Sequence, residues 1–116
     1  MISLALAISL SIGEPLNHML SVCIKKEDAI EIANAERDKN FAAAMDVWEA
    51  KAECATIPVQ GGKVGKVVHS VEVVRQGLKV TLRVFEISKD GEVIAYFITS
   101  AKLEPPKFNA GRGSVS

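Results

Sequence analysis

The chain has 116 residues, of which 48% are hydrophobic and 24% charged, and this is the composition of a globular domain with a single core. Its 14 basic residues are balanced by 14 acidic ones. Because phosphate binding depends on an excess of Lys and Arg, this balance argues against a nucleic-acid-binding protein. No long run of one charge sign occurs, which argues against a polybasic membrane-surface patch.

Residues 2–12 form an uncharged run of small and aliphatic side chains. As a helix this run would span only ~16 Å, about half of the ~30 Å hydrocarbon core of a bilayer. Its length is typical of the apolar part of a secretion signal, although no Lys or Arg precedes it. Three interpretations of residues 1–24 therefore stay open: a signal, a weak membrane anchor, or a buried strand or helix of the folded domain.

Residues 25–45 are predicted to form the main helix. Glu27 and Asp28 lie in its first turn, where carboxylates interact favourably with the helix dipole. Spacing of 3.6 residues predicts one apolar face that covers a sheet. This face consists of Ile30, Ala33, Phe41, Ala44, Met45 and Trp48.

Residues 47–56 are ambiguous between a helix and a strand. Apolar and charged side chains alternate there, as in a half-buried strand, but the Ala, Glu and Lys content favours a helix. Pro58 ends either element because the residue before a proline is biased away from helix. Residues 60–63 are predicted to be a loop.

Residues 64–75, 78–88 and 93–103 are predicted to be three consecutive antiparallel strands, joined by tight turns at 76–77 and 90–91. Pro105 and Pro106 end the last strand, and residues 105–116 are predicted to be a flexible tail. We therefore expect an α+β fold. It would have an apolar N-terminal segment, one main helix, and a three- to four-stranded antiparallel meander packed on the helix, with the domain itself at residues 25–104.

Cys23 and Cys54 are the two cysteines of the chain. A disulfide requires their Cα atoms to lie within about 7 Å, which an unbroken helix between them would prevent. A bridge is therefore expected only if the chain reverses near Asp46 and residues 48–54 run back as a strand. Two buried free thiols are the other interpretation.

No pattern of catalytic, cofactor-binding or metal-ligating residues is visible. His18 and His69 stand in no spacing that is typical of a metal site, and no Gly-x-Ser-x-Gly elbow occurs. Gly61, Gly62 and Gly65 lack the Gly-Lys-Ser/Thr of a phosphate-binding loop. We therefore predict no catalytic, metal or cofactor site, and a protein that is not an enzyme.

The predicted sheet has more apolar side chains than one helix covers. Phe85 and Ile87 lie opposite the row that faces the helix, and Tyr96 and Phe97 point to opposite faces of the third strand. Large exposed apolar patches are uncommon in monomers, so we predict an interface at Phe85, Ile87, Tyr96 and Phe97. Self-association is the favoured use of that interface, because two-fold pairing is the commonest solution.

Two stretches resemble parts of known families. Residues 25–35 and 86–94 resemble the helix and hairpin of PepSY-type modules of secreted proteins, over about a third of the chain. The apolar N-terminus followed by a charged, Ala-rich helix resembles the inner-membrane spanins of phage lysis systems, but the C-terminal meander departs from their coiled coil. Neither resemblance assigns the chain to a family.

The sequence favours a non-catalytic binding or assembly module that is secreted or membrane-associated and acts through an apolar sheet face. Its expected partner is another protein or a second copy, with no nucleic acid, and the N-terminal segment offers a membrane contact. A structural subunit of a larger particle, such as a phage or envelope assembly, is one alternative. A small enzyme with an unrecognised site is another, and a cytoplasmic location stays open.

Overall fold

The structure, a computed structural model, describes residues 9–104. Residues 2–8 of the apolar run and the predicted tail at 105–116 lie outside this part. The described residues form six strands and two helices, which confirms the α+β class. In chain order these are β1 (Ser9–Ser11), β2 (Pro15–Cys23), α1 (Lys26–Asp38), α2 (Phe41–Ala50), β3 (Cys54–Arg75), β4 (Leu78–Lys89), β5 (Glu92–Thr99) and β6 (Lys102–Glu104).

Four of the strands form an antiparallel sheet that closes on itself. β3 pairs with β2 along its first half and with β4 along its second half, and β5 pairs with β4. β5 also returns to β2, through the pairs Val22–Phe97 and Cys23–Tyr96. The remaining two strands, β1 and β6, pair with each other in parallel.

The two tight turns lie where the sequence places them. Gln76 and Asp90 have φ angles of 52° and 54°, and the glycine after each also has a positive φ. Paired positive φ angles match the twist of an antiparallel hairpin, so the predicted β3–β4 and β4–β5 hairpins are confirmed. The third predicted strand is shorter than expected, because β5 ends at Thr99 and the chain resumes as β6.

The predicted loop at 60–63 is wrong, because these residues belong to β3. Gly61 has a φ of 84° and no partner on β2, whose Leu16 and Asn17 pair with the residues on either side of it. β3 also has register shifts against β4 on both sides of Val67. Such bulges bend a strand and increase its twist, and this bending lets β3 serve both β2 and β4.

Two helices replace the single main helix that the sequence predicted. α1 ends at Asp38, and α2 begins at Phe41 after Asn40, whose side-chain Oδ1 accepts a hydrogen bond of 2.8 Å from the Ala43 N–H. This is the arrangement of an N-cap, which starts a new helix. The buried face of α1 is also shifted from the predicted one, to Ala29, Ile32, Ala33 and Glu36. Of the two interpretations of residues 47–56, the helix holds as far as Ala50 and the strand begins at Cys54, so the strand at 48–54 that the bridge was expected to require does not form.

Apolar side chains are buried on both sides of the sheet. Inside its curve lie Leu10, Leu16, Val22, Val59, Val64, Phe85, Ile87, Ala95 and Phe97, which we call the inner core. On the helix side lie Cys23, Ala29, Ile32, Ala33, Ala44, Val71, Val73, Leu82 and Val84, which we call the outer core. Because the sheet closes, the apolar side chains on its second face are buried inside it.

The predicted interface at Phe85, Ile87, Tyr96 and Phe97 is corrected by this burial. Phe85 and Phe97 have no exposed surface and stack with ring centroids 5.3 Å apart, and Ile87 is 1% exposed. Tyr96 lies on the other side of the sheet, packed against the outer core. These residues therefore form no exposed apolar face of the folded chain, and self-association stays a prediction without a surface assigned to it.

The end of the N-terminal apolar run is an element of the folded domain. Ser9–Ser11 form strand β1, and Leu10 is buried in the inner core. Pro15–Cys23, which the sequence left outside the domain, is a strand of the closed sheet. For residues 9–23 the structure therefore shows the core element among the three interpretations. Within residues 9–104, neither helix has the length and apolarity needed to cross a membrane.

Candidate functional site

Cys23 and Cys54 form a disulfide with their Cα atoms 4.0 Å apart. The two residues are direct partners across the β2–β3 pair. The bridge was one of the two sequence interpretations, but the chain reverses differently from the route expected. It turns back between α1 and α2, at Lys39 and Asn40, so that a helix returns towards Cys54.

The second helix carries an apolar face that the rest of the protein covers only in part. Phe41, Ala44, Met45 and Trp48 follow the i, i+3, i+4, i+7 spacing of one helix face. Ala44 is the only residue of α2 that is buried, and Phe41 is 51% exposed. Met45 is half-buried and Trp48 packs against the outer core, so this face of α2 is covered in part by the core and is open in part at its Phe41 end.

A cleft of about 390 Å³ lies beside this face of α2. Volumes of this order fall within the range of small-molecule sites. Its apolar lining comes from both helices and from β4 and β5, as Ile32, Phe41, Ala44, Met45, Trp48, Leu82 and Ile98. Its polar lining consists of Ser21, Glu36, Thr56, Arg75, Thr99 and Ser100.

The cleft opens where the closed sheet comes apart. β2 and β5 pair at two positions, the last of which towards the cleft is Val22–Phe97. The residues that follow on each strand, Ser21 on β2 and Ile98 on β5, line the cleft. The short β2–β5 pairing therefore positions the hydroxyl-bearing part of the lining.

A buried ion pair lies at one end of the cleft. Arg75 donates from Nε and Nη2 to the two carboxylate oxygens of Glu36, at 2.7 and 2.8 Å. The Glu36 side chain is 3% exposed and that of Arg75 is 37% exposed. The hydrogen bond to Glu36 raises the pKa of Arg75 above its ordinary value, so the guanidinium stays charged at every physiological pH.

Arg75 also contacts α2. Its Cζ lies 5.4 Å from the centroid of the Phe41 ring, which is within the range of a cation–π interaction. The pair with Glu36 links the end of β3 to α1, and the Phe41 contact links it to α2. Arg75 is therefore the residue that joins the sheet to both helices at the mouth of the cleft.

The lining of the cleft offers hydrogen-bonding groups to a ligand, but its two charged side chains are already paired with each other. Glu36 and Arg75 are the acidic and the basic residue of the cleft lining, and they form an ion pair with each other. The rest of the polar lining is hydroxyl groups, which donate and accept hydrogen bonds. Within residues 9–104, no three His, Cys, Asp or Glu side chains lie together as a possible metal site.

The two histidines lie outside the cleft. His69 faces α1, where its Nε2 lies 2.7 Å from Oδ1 of Asn34. This hydrogen bond gives the ring a structural partner between sheet and helix. His18 lies on β2, where its Nδ1 accepts a hydrogen bond from the Asn17 N–H.

Sequence reasoning missed Glu36 and Arg75 as site residues. The predicted apolar face does not include Glu36, and Arg75 stands at the end of a predicted strand, next to a turn. Glu36 is at the i+7 position of a face that begins with Ala29, Ile32 and Ala33, and this spacing was the available signal for burial of the carboxylate. A useful signal was the apolar face of residues 41–48, which the sequence predicted to cover a sheet and which lines the cleft instead.

No protein-family model matches this chain, and comparison with curated proteins and with solved structures gives no match either. The function is therefore argued from the geometry of the cleft.

Proposed function

We propose that this protein is a non-catalytic binding module that acts outside the cytoplasm and takes an apolar ligand into the cleft beside α2. The observation that carries the proposal is the incomplete covering of α2, whose apolar face packs on the outer core only in part and lines the cleft with Phe41, Met45 and Trp48. Such a face is ordinarily turned to a core. An occupant of the cleft would remove this apolar surface from water, which is the main driving force of such binding.

The proposal differs from the sequence expectation in the surface that it uses. The apolar sheet face predicted from the sequence is filled by the chain itself, with Phe85 and Phe97 in the inner core. The cleft offers the apolar surface that is left over, including Met45 and Trp48. Binding is therefore proposed between the helices and the sheet.

The disulfide supports a location in an oxidising compartment. Disulfides form and persist in secreted, periplasmic and surface proteins and are rare in the cytosol. The Cys23–Cys54 bridge closes directly across two paired strands, so no rearrangement of the fold is needed to make it.

Binding of an uncharged apolar dye, N-phenylnaphthylamine, tests the proposal. The chain has one tryptophan, Trp48, and it lines the cleft, so its fluorescence reports on occupancy. We expect the dye to quench Trp48 and to gain fluorescence itself. Ser21→Phe places a ring in the floor of the cleft and should weaken dye binding at least about tenfold, the equivalent of ~1.4 kcal/mol.

Asn17→Phe is the matched control, because it adds the same ring to an exposed position of the same strand, outside the cleft. Its dye affinity should equal that of the wild type, and circular dichroism should show both variants folded. The proposal fails if the folded wild type binds no dye, or if Ser21→Phe and Asn17→Phe bind it equally well.

A further inference from the structure

The side chain of Arg75 has one edge that the protein leaves unused. A guanidinium carries five N–H donors, and Arg75 donates from Nε and Nη2 to Glu36. Its other terminal nitrogen, Nη1, makes no hydrogen bond to any group within residues 9–104. Three N–H donors of this charged group, two of them on Nη1, are therefore left without a partner in the described chain.

Arg75 lies where two depressions adjoin. Arg75 and Phe41 line the cleft and also a second, shallower depression of about 590 Å³, which Asn40, Val74 and Gln76 complete. An apolar molecule lying along α2 in the cleft would therefore end at Arg75. The charged group meets the end of the ligand, and the apolar lining meets its body.

The charge that a ligand meets there is positive. Glu36 and Arg75 are the charged side chains that line either depression within the described chain. The Glu36 carboxylate is almost fully buried behind the guanidinium, whereas Arg75 is partly exposed. One cation that is already paired with one carboxylate suits a monoanion better than a phosphate with two charges.

We infer that the ligand is an amphipathic monocarboxylate, a small molecule whose apolar body occupies the cleft and whose carboxylate accepts hydrogen bonds from Nη1 of Arg75. The inference rests on the proposed function, because it names the chemical class of the ligand for the same cleft. A cleft of about 390 Å³ is at the small end of ligand sites, and for that reason we assign it to a free small molecule rather than to a protein segment.

Competition against the bound dye tests the inference. Decanoate, methyl decanoate and decylamine share a chain and differ in the charge of the head group, and each is used below its micelle concentration. We expect decanoate to displace the dye at a concentration at least about tenfold lower than methyl decanoate, since a hydrogen bond to a charged group contributes that much or more. Decylamine should compete least well, because its cation would meet Arg75.

Variants assign the preference to Arg75. Glu36→Gln combined with Arg75→Gln removes both charges without leaving a buried carboxylate unpaired, and it should bring the decanoate preference close to one. Arg37→Gln is the matched control, because Arg37 is an exposed arginine next to Glu36 that pairs with Asp38. It should keep the full preference.

The outcomes separate this inference from the proposed function. Equal displacement by decanoate and methyl decanoate, or a preference that survives the double substitution, overturns the inference while dye binding still supports the cleft. Tighter binding of an apolar tripeptide with a free carboxylate than of decanoate, lost on amidation, overturns the small molecule in favour of a peptide terminus. Absence of all dye binding removes the proposed function itself.

Discussion

The inner core and the layer of helices differ in how completely they are packed. Phe85, Phe97 and Ile87 are at most 1% exposed inside the closed sheet. In α2, Ala44 is buried, Val47 and Trp48 are half-buried against the outer core, and Phe41 is 51% exposed. The stability of the domain therefore resides mainly in the closed sheet, and the helix layer has apolar surface left for binding.

This contrast in packing accounts for the position of the proposed site. A close-packed interior leaves no space for another molecule, so a ligand can enter only where packing is incomplete. Incomplete packing is tolerated at α2 because other contacts hold the helix in place, including the Arg75–Phe41 contact and the ion pair of Lys51 with Glu31. Three predictions test this separation.

We expect the largest change in stability from truncating a phenylalanine of the inner core, compared with the same truncation in α2. Phe85→Ala should lower the free energy of unfolding by about 3–5 kcal/mol, as truncation of a buried phenylalanine does. Phe41→Ala, the same change at a half-exposed position, should lower it by less than about 1 kcal/mol, the value of an exposed cation–π contact. Urea unfolding of both variants measures the difference. Similar losses from both substitutions would show that the two layers are packed alike.

The disulfide should stabilise both layers together. Its 31-residue separation corresponds to roughly 3–4 kcal/mol in the chain-entropy model. Cys23→Ser with Cys54→Ser should lower the free energy of unfolding by this amount, and Trp48 fluorescence and backbone circular dichroism should report the same transition. Adding a reductant should destabilise the wild type but not the double variant. Two reactive thiols in unreduced protein from an oxidising compartment would contradict the bridge.

The smallest expected effect is confined to the end of α2. Nζ of Lys51 lies 2.6 Å from Oε1 of Glu31 and 3.7 Å from Oδ1 of Asp28. The hydrogen bond to Glu31 raises the pKa of Lys51 above its ordinary value of 10.5. Because the folded pKa is the higher one, the stabilisation is complete below about pH 10.5 and disappears as the pH rises through the folded pKa. A titration of Trp48 fluorescence should therefore show α2 loosening in that range.

Lys51→Met should remove this alkaline transition, and Lys39→Met should keep it. Lys39 is an exposed lysine with no ion pair in the described chain, so it controls for the general effect of high pH. A transition that persists unchanged in Lys51→Met would mean that the ion pair does not hold α2.

The sequence predicted the elements that local chemistry determines. Asp90-Gly91 and Gln76-Gly77 accept the positive φ angles of tight turns, and alternation of apolar residues fixed β4. The division of the helix was missed because Asn40 lies within a stretch whose apolar spacing continues past it. Its capping role depends on the direction that the chain takes after Asp38, which spacing does not encode.

Closure of the sheet was beyond the sequence for a different reason. It depends on bulges in β3, where the register shifts by one residue against β2 and β4. Gly61 and Gly65 stand at two of these shifts, but glycines of this kind are equally typical of a loop. If the sheet is taken to be open, Phe85 and Phe97 lie on an exposed apolar face, and the sequence therefore predicts an interface there. The cleft was equally hidden, since an empty volume depends on the separation of α2 from the sheet and not on the type of residue at any position.

The pairing of β2 with β5 has a consequence for the order of folding. Val22 must find Phe97 across most of the chain, and contacts between such distant residues form slowly because a long loop must close first. During synthesis β2 emerges well before β5, but Cys54 follows the helices and lies at the start of β3. Formation of the Cys23–Cys54 bridge at that stage would fix β2 beside β3, so that β5 completes the ring by closing a much shorter loop.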